Sequence, residues 1–206
     1  MVLCVAVFPY LTDTVYSLAI APAPPPPLVI ADSALLLSRS LCAIAACVCI
    51  LFLTQQPFRS VGLRPFKKID IGLAILTIGV ALGAHSAFGY IVYNIFDEPA
   101  TIEYARPSGL MDWYWFSLSH IANAGAEELA IWGLLYTRLR RLWHRQELLS
   151  MIAPAAAFAA YHLYQGVAPA IMVFVFAMVH GLIFRVSGRL WPLILAHAAT
   201  NIWFQS

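Results

Sequence analysis

Charged residues are scarce in this sequence. Aspartate, glutamate, lysine and arginine make up 11% of its 206 residues, hydrophobic residues make up 62%, and the mean hydropathy is +0.79. Soluble domains carry about 25% charged residues, so this composition excludes an ordinary soluble fold. The alternation of polar and apolar residues that is typical of a transmembrane barrel is also lacking, because the apolar runs are long. The sequence therefore predicts an all-α, polytopic transmembrane helix bundle.

A basic leader and metal-finger cysteine spacing are lacking too. Residues 1–20 are apolar with no basic segment before them, which is not the pattern of a cleaved signal peptide. They form either an additional span, which Asp13 disfavours, or an interfacial helix. The prolines in 21–27 exclude a helix and predict an extended linker, so we interpret 1–33 as an N-terminal apolar segment and linker. The four cysteines are interpreted as small buried hydrophobic residues.

Six apolar stretches follow the linker, and polar or proline-containing connections separate them. The last stretches are short for a hydrocarbon core about 30 Å thick, which implies tilt or local thinning of the bilayer. Counting the N-terminal segment, the expected bundle has six to seven spans, with residues 34–206 as its membrane-embedded part. The six predicted spans are approximately 34–54, 69–96, 110–142, 148–164, 169–184 and 190–203.

Basic residues are concentrated in the connections after the first, third and fifth spans, which hold ten of the twelve lysines and arginines. The connection between the second and third spans instead holds Asp97, Glu98 and Glu103. By the positive-inside rule, the basic connections lie in the cytoplasm. The sequence therefore predicts an integral membrane protein whose basic loops are cytoplasmic.

Two adjacent carboxylates, Glu127 and Glu128, lie inside the third predicted span. A carboxylate at the centre of a membrane costs about 2.5–3.5 kcal/mol on insertion scales, so this pair indicates a functional site. His120, Asn123 and Glu127 are spaced i, i+3 and i+7, which places them on one polar stripe of the helix. The alternatives are a protonated glutamate that only hydrogen-bonds to a neighbour, and a proton relay in a proton-coupled transporter. The second is disfavoured because paired broken spans and repeats are lacking.

Two histidines on later spans each lie four residues, about one helical turn, from a second residue that could contribute to a site. The fourth span contains Phe158-x-x-x-His162, and the sixth contains His197-x-x-x-Asn201. A carboxylate and an imidazole can deprotonate a water molecule, while a second imidazole and an amide can donate hydrogen bonds to a developing oxyanion. Together with the glutamates, these residues supply the groups that hydrolysis requires.

These three motifs, in this order, resemble those of the CPBP family of CAAX proteases and bacteriocin-processing proteins, which includes the Ras-converting CAAX prenyl endopeptidases. The motifs lie within 110–204, the flanks 61–65, 161–166 and 188–197 are similar as well, and the resemblance covers 58–204. It implies an intramembrane endopeptidase of a bacterial cell (inner) membrane, which hydrolyses a peptide bond near the C-terminus of its substrate. The expected partners are the lipid bilayer and a peptide or lipidated protein substrate, with no nucleic acid.

The resemblance also implies three roles: water activation, oxyanion stabilisation and support of the site. These fall respectively to Glu127 and His162, to His197 and Asn201, and to Glu128 and Phe158. No His-Glu-x-x-His pair is present, but Glu127, His162 and His197 could ligate Zn²⁺ and leave a position for water. A glutamate-dependent mechanism without metal and a zinc mechanism therefore both stay open.

One position departs from the family pattern. The first motif usually continues with an arginine and a glycine, whereas this chain has Trp132 followed by Gly133. An arginine there would lie at i+4 from Glu128, the spacing of a helical salt bridge. Either another group substitutes, with His120 and His180 as candidates by depth, or the site is weakened. Trp132 thus favours the alternative of a non-catalytic family member that acts as a bacteriocin-immunity or scaffold protein.

Overall fold

The computed structural model describes residues 11, 15, 29–96 and 106–205, with side chains described through residue 204. Apart from residues 11, 15 and 29–33, the predicted N-terminal segment and linker lie outside these residues, as does most of the acidic connection. Within the described ranges the chain is helical and contains no strand, which confirms the all-α fold.

The helices follow the predicted apolar stretches closely. Three of them, α1, α2 and α6, are long and apolar enough to cross a membrane. A single helical run without a break contains α3, a π-helix and α4. Their bounds are α1 Val29–Leu53, α2 Lys68–Phe96, α3 Leu110–Glu128, the π-helix Leu129–Tyr136, α4 Thr137–Leu142, α5 Glu147–Ala160, α6 Val167–Ser187 and α7 Trp191–Gln205, with 3-10 turns at Phe58–Val61 and Leu163–Gln165.

The π-helix Leu129–Tyr136 lies at the centre of the bundle. All eight of its residues are buried, and helices α1 and α5 pack against it. Helix α3, directly before it, packs between α1 and α7, while α2 packs against α6 and α7. π-helical turns are rare and occur frequently at functional sites. The two adjacent glutamates are the last residues of α3, so the change of helix type begins at the predicted site.

The outer surface of the bundle is apolar. Large hydrophobic side chains stay exposed along its helices, for example Leu53, Ile75, Ile95 and Val186. The polar side chains Ser40, Thr77 and Ser119, in contrast, are buried and hydrogen-bond to their own helix backbone. In a lipid environment, polar groups need hydrogen-bond partners within the protein, and the surface that contacts lipid is apolar. This distribution agrees with an integral membrane protein.

A buried ion pair joins the two connections at the basic end of the bundle. Asp70, in the first turn of α2, is fully buried and accepts hydrogen bonds from the Nε and Nη2 atoms of Arg189. Arg189 Nη2 also donates to the carbonyl oxygen of Pro65 at 2.7 Å. Pairing with Asp70 raises the pKa of the Arg189 guanidinium. Because each charge is satisfied by the other, the pair can be buried where a single charge could not.

Backbone contacts complete this junction. The amide of Leu190 donates to the carbonyl oxygen of Gly62 at 3.0 Å, and Trp191 Nε1 donates to the carbonyl oxygen of Arg64 at 2.8 Å. Gly62 adopts a φ of 83°, a left-handed conformation that favours glycine. A side chain at Gly133 would press on the carbonyl oxygen of Val61, only 3.2 Å from its Cβ position. The motif glycine therefore lets this connection lie directly on the π-helix.

Trp132 fills a notch in helix α6. Its side chain is 1% exposed, and its six-membered ring lies where a Cβ atom at Gly181 would stand. The ring also packs on Tyr136, at a centroid distance of 5.7 Å. Gly181 on the neighbouring helix therefore provides the space that the Trp132 ring occupies.

We expect Gly181→Ala to destabilise the bundle by about 1–3 kcal/mol, the usual penalty for overpacking a core, because the new methyl group collides with the Trp132 ring. Gly125→Ala is the matched control, since no atom lies within 4 Å of its Cβ position. There the loss of glycine flexibility should leave stability unchanged or raise it slightly. Thermal unfolding of both variants in detergent tests this packing; equal unfolding temperatures would contradict it.

Candidate active site

Glu127 and Glu128 are buried at the end of α3, with 5% and 2% of their surfaces exposed. Adjacent helical residues point about 100° apart, so the two carboxylates reach different neighbours. Helix α7 packs against α3 at this level and brings His197 to both of them. The predicted convergence of the first and third motifs is therefore present in the fold.

The His197 imidazole bridges the two carboxylates. Its Nδ1 lies 2.8 Å from Glu128 Oε1, and its Nε2 lies 3.4 Å from Glu127 Oε2. Each of these nitrogen–oxygen contacts is favourable only with a proton between the two atoms, and a neutral imidazole carries a single proton. The second proton belongs either to the imidazole or to a carboxyl group. The cluster is therefore a proton-sharing unit of two carboxyl groups and one imidazole.

The polar stripe predicted on α3 lines the Glu127 side of this unit. The carboxylate of Glu127 interacts with the side chains of Asn123 and Tyr161, and Ser40 Oγ on α1 donates to Asn123 Oδ1 at 3.5 Å. His120, further along the stripe, instead packs on the ring of Phe116 at a centroid distance of 4.3 Å. Helices α3 and α1 and the turn after α5 thus contribute polar groups beside Glu127, and sequence spacing had indicated only those on α3.

His162 lies in the turn after α5, and the prediction that the helix continues to residue 164 was wrong. Helix α5 ends at Ala160, and the chain passes through the 3-10 turn Leu163–Gln165 to Gly166, whose φ of 114° favours glycine. The Nδ1 of His162 donates to the carbonyl oxygen of Phe158 at 2.8 Å. This bond fixes the ring and leaves Nε2 free for chemistry.

Phe158 connects the second and third motifs. Its ring lies 4.8 Å from the His162 ring and 5.8 Å from the His197 ring, measured between centroids. In the described chain His162 forms no ion pair with Glu127; His197 is the imidazole in contact with that carboxylate. Asn201, half-buried, lies one helical turn after His197 on α7. Phe158 thus contacts one histidine from each of these two motifs.

His180 on α6 completes the cluster on the Glu128 side. Its Nε2 lies 3.9 Å from Glu128 Oε1, and its ring centroid lies 6.0 Å from that of His197. Sequence depth had left His120 and His180 as candidate neighbours of Glu128, and the packing of α6 selects His180. Tyr161 and Ser40 were not predicted, because hydroxyl groups on other helices carry no sequence signal that relates them to α3.

The described residues contain no group of three histidine, cysteine, aspartate or glutamate side chains placed to hold a metal ion. Both ring nitrogens of His197 already face carboxylates, and the His162 ring packs on Phe158. The zinc set Glu127, His162 and His197 is therefore not assembled in this arrangement. Zinc binding stays a prediction.

Comparison with known proteins assigns the segment that contains this site. Residues 109–203 match the family model described as type II CAAX prenyl endopeptidase Rce1-like. The segment is similar to this family, and the name Rce1-like domain is used for residues 109–203. The match confirms the family predicted from the three motifs. No curated protein and no solved structure matches the chain.

The Rce1-like domain contains every residue of the candidate site except Ser40. It begins at the start of α3 and ends two residues before the end of α7. The family consists of CAAX-type intramembrane proteases, so the match supports a membrane-embedded peptidase that acts on a peptide substrate. Helices α1 and α2 lie outside the matched segment and pack against it.

Proposed function

We propose that the Rce1-like domain hydrolyses a peptide bond near the C-terminus of a membrane-associated or lipidated protein. The observation that carries this proposal is the His197 imidazole held between two adjacent buried carboxylates, within the segment that matches the peptidase family. A site for peptide hydrolysis needs a base, an acid and oxyanion donors in a water-poor environment. The cluster around Phe158 offers all three.

Glu127 is the proposed base, with His162 as its partner in orienting the water. The carboxylate takes one proton from the water while the oxygen attacks the scissile carbonyl carbon and the carbonyl π electrons move to oxygen. The tetrahedral intermediate then collapses, the carbon–nitrogen bond breaks, and the leaving amine takes a proton from the Glu127 carboxyl group. The free Nε2 of His162 supports this role, because its other ring nitrogen already donates to a backbone carbonyl.

His197 and Asn201 are the proposed oxyanion donors. Their spacing of one turn on α7 suits two donors that converge on one oxygen atom. Glu128 accepts from His197 Nδ1 at 2.8 Å and thereby orients the ring. A neutral His197 ring that donates its single proton from Nδ1 to Glu128 has no proton on Nε2 and cannot donate to an oxyanion. When the ring also carries the shared proton, Nε2 can donate as well.

The site is proposed to open toward the cytoplasm, where the basic connections lie. Glu127 lies eleven residues before Arg138, which corresponds to a depth of about 16 Å at the usual helical rise. At this end, Arg185 pairs with Glu147 through bonds of 2.7 and 2.8 Å, and Arg138 donates to Gln56 at 2.8 Å. A lipid anchor in the bilayer would place the adjoining C-terminal peptide at this depth.

The experiment is a cleavage assay in liposomes with two peptides of one sequence, one prenylated near its C-terminus and one not. Purified protein should release a short C-terminal fragment from the prenylated peptide, as detected by mass spectrometry. His162→Ala serves as the inactive control, and His85→Ala, on α2 against Tyr93 and Phe204, serves as the active control. Failure of the wild-type protein to cut either peptide would sink the proposal.

The burial of Trp132 favours a second candidate, a non-catalytic member of the family that acts as an immunity or scaffold protein. An aromatic ring occupies the position from which a cation could pair with Glu128, and it is fitted to Gly181. On this hypothesis, Glu127→Gln would protect cells against a bacteriocin as well as the wild-type protein does. A loss of protection in that variant would exclude the non-catalytic role.

A further inference from the structure

Glu128 needs a proton-bearing partner besides His197, and its own helix does not supply one. The residue at i+4, the nearest on the same face, is Trp132, whose ring is committed to the notch at Gly181. Glu128 is 2% exposed, and its Oε2 is a buried atom without a hydrogen-bond partner among the described residues. A carboxyl oxygen in that condition carries a substantial desolvation penalty.

His180 is placed to be that partner. It is fully buried on α6, and its Nδ1 lies 3.0 Å from the carbonyl oxygen of Phe176, which accepts its proton. Its Nε2 lies 3.9 Å from Glu128 Oε1 and, like Glu128 Oε2, has no hydrogen-bond partner within the described chain. The backbone of Leu193 also interacts with the ring, but this contact falls short of hydrogen-bond geometry at Nε2. Two buried polar atoms without partners thus belong to side chains that face each other.

One proton satisfies both atoms. If the carboxyl group of Glu128 carries it on Oε2, that oxygen can donate to Nε2 of His180 while Oε1 still accepts from His197. If the imidazole carries it, Nε2 donates to the carboxylate instead. In either case α6 supplies a second partner that holds Glu128 beside His197. The 3.9 Å distance joins Nε2 of His180 to Oε1 of Glu128, so a shift of less than 1 Å would bring that oxygen to hydrogen-bonding distance, which is about 3 Å, and Oε2 can reach the ring only if the carboxyl group rotates.

We infer that His180 is a positioning residue for the hydrolytic site. It fixes Glu128, Glu128 fixes the His197 ring through Nδ1, and the ring then presents Nε2 to Glu127 and to the substrate. The inference rests on the proposed peptidase function, but the geometry of the His197–Glu128 bond can be measured without any substrate. His180 on α6 thus fills the role that an arginine at position 132 would have as the partner of Glu128.

The test compares His180→Leu, His180→Gln and the double variant His180→Leu/Trp132→Arg with the wild-type protein. In His180→Leu, kcat should fall about 10- to 100-fold, as is usual when the outer partner of a site residue is lost, with KM unchanged. The glutamine amide can still donate to Glu128, so His180→Gln should retain most activity. The arginine at i+4 from Glu128 should restore activity at least about tenfold over His180→Leu. His85→Leu is the matched control and should leave kcat unchanged.

A second readout needs no activity. The imidazole N–H proton of His197, bonded to Glu128, should give a low-field NMR signal that disappears in His180→Leu and returns in the double variant. If the wild-type protein cuts no peptide, the proposed function fails and this signal alone decides the role of His180. An unchanged signal in His180→Leu would overturn the inference. So would a loss that neither His180→Gln nor the double variant reverses, since that result would mark a packing role.

Discussion

Glu127→Gln should reduce peptide cleavage by about a thousandfold, within the 10²–10⁴-fold range expected for loss of a positioned general base. The amide keeps the shape of the side chain and its contacts with Asn123 and Tyr161, but it cannot take a proton from water. The fold should stay intact, because an amide is less costly to bury than a carboxylate. Single-turnover cleavage of the prenylated peptide in liposomes measures the change.

Glu128→Gln is the matched control for this variant, since the two positions are adjacent and equally buried. Its amide oxygen can still accept a hydrogen bond from His197 Nδ1, so we expect a loss of only about tenfold, the lower range for a partner that acts through another residue. Equal losses at the two positions would contradict the separate roles of the glutamates. Full activity in Glu127→Gln would exclude Glu127 as the base.

His197→Ala should lower both stability and activity. The imidazole is the shared partner of two adjacent buried carboxyl groups, at 2.8 and 3.4 Å, and its loss removes that partner from both Glu127 and Glu128. Removing one partner of a buried charged pair costs about 3–5 kcal/mol, and we expect about 3 kcal/mol because protonation of a carboxyl group relieves part of the penalty. Thermal unfolding in detergent and the cleavage assay measure the two effects.

His162→Ala separates the two effects. His162 packs on Phe158 and bonds to its carbonyl oxygen, but it forms no ion pair with a carboxylate within the described chain. Its replacement should therefore abolish cleavage while changing the free energy of unfolding by less than about 1.5 kcal/mol. If both histidine variants unfold at the same temperature as the wild-type protein, the bridging role of His197 is wrong.

The membrane helices and the family were accessible from sequence because their signals are local. Apolar runs long enough for a bilayer locate the helices, and the predicted third span matches the observed run Leu110–Leu142. The motif spacing also placed the glutamates, His197 and Asn201 on the helices where they occur. The error at His162 arose because the turn after Ala160 is fixed by Gly166, six residues later, and the apolar pattern continues past the end of the helix.

Contacts between helices carried no comparable signal. The pairing of Asp70 with Arg189 joins residues 119 positions apart, and the basic pattern had assigned Arg189 only to a cytoplasmic loop. The π-helix likewise had no signal in the sequence, since Leu129–Tyr136 is as apolar as any α-helical span. The ion pair and the π-helix became visible only in the folded bundle, where faces of different helices meet.

The acidic pair at the end of α3 shows the same division. Its sequence determined that two carboxylates lie in an apolar helix, that buried charges there require partners, and that Trp132 cannot be one. Only the tertiary structure decided the partners: His197 between both glutamates, and His180 facing Glu128 from α6. The physical reason is that hydrogen bonds and ion pairs act over about 3–4 Å in space, whatever the separation along the chain.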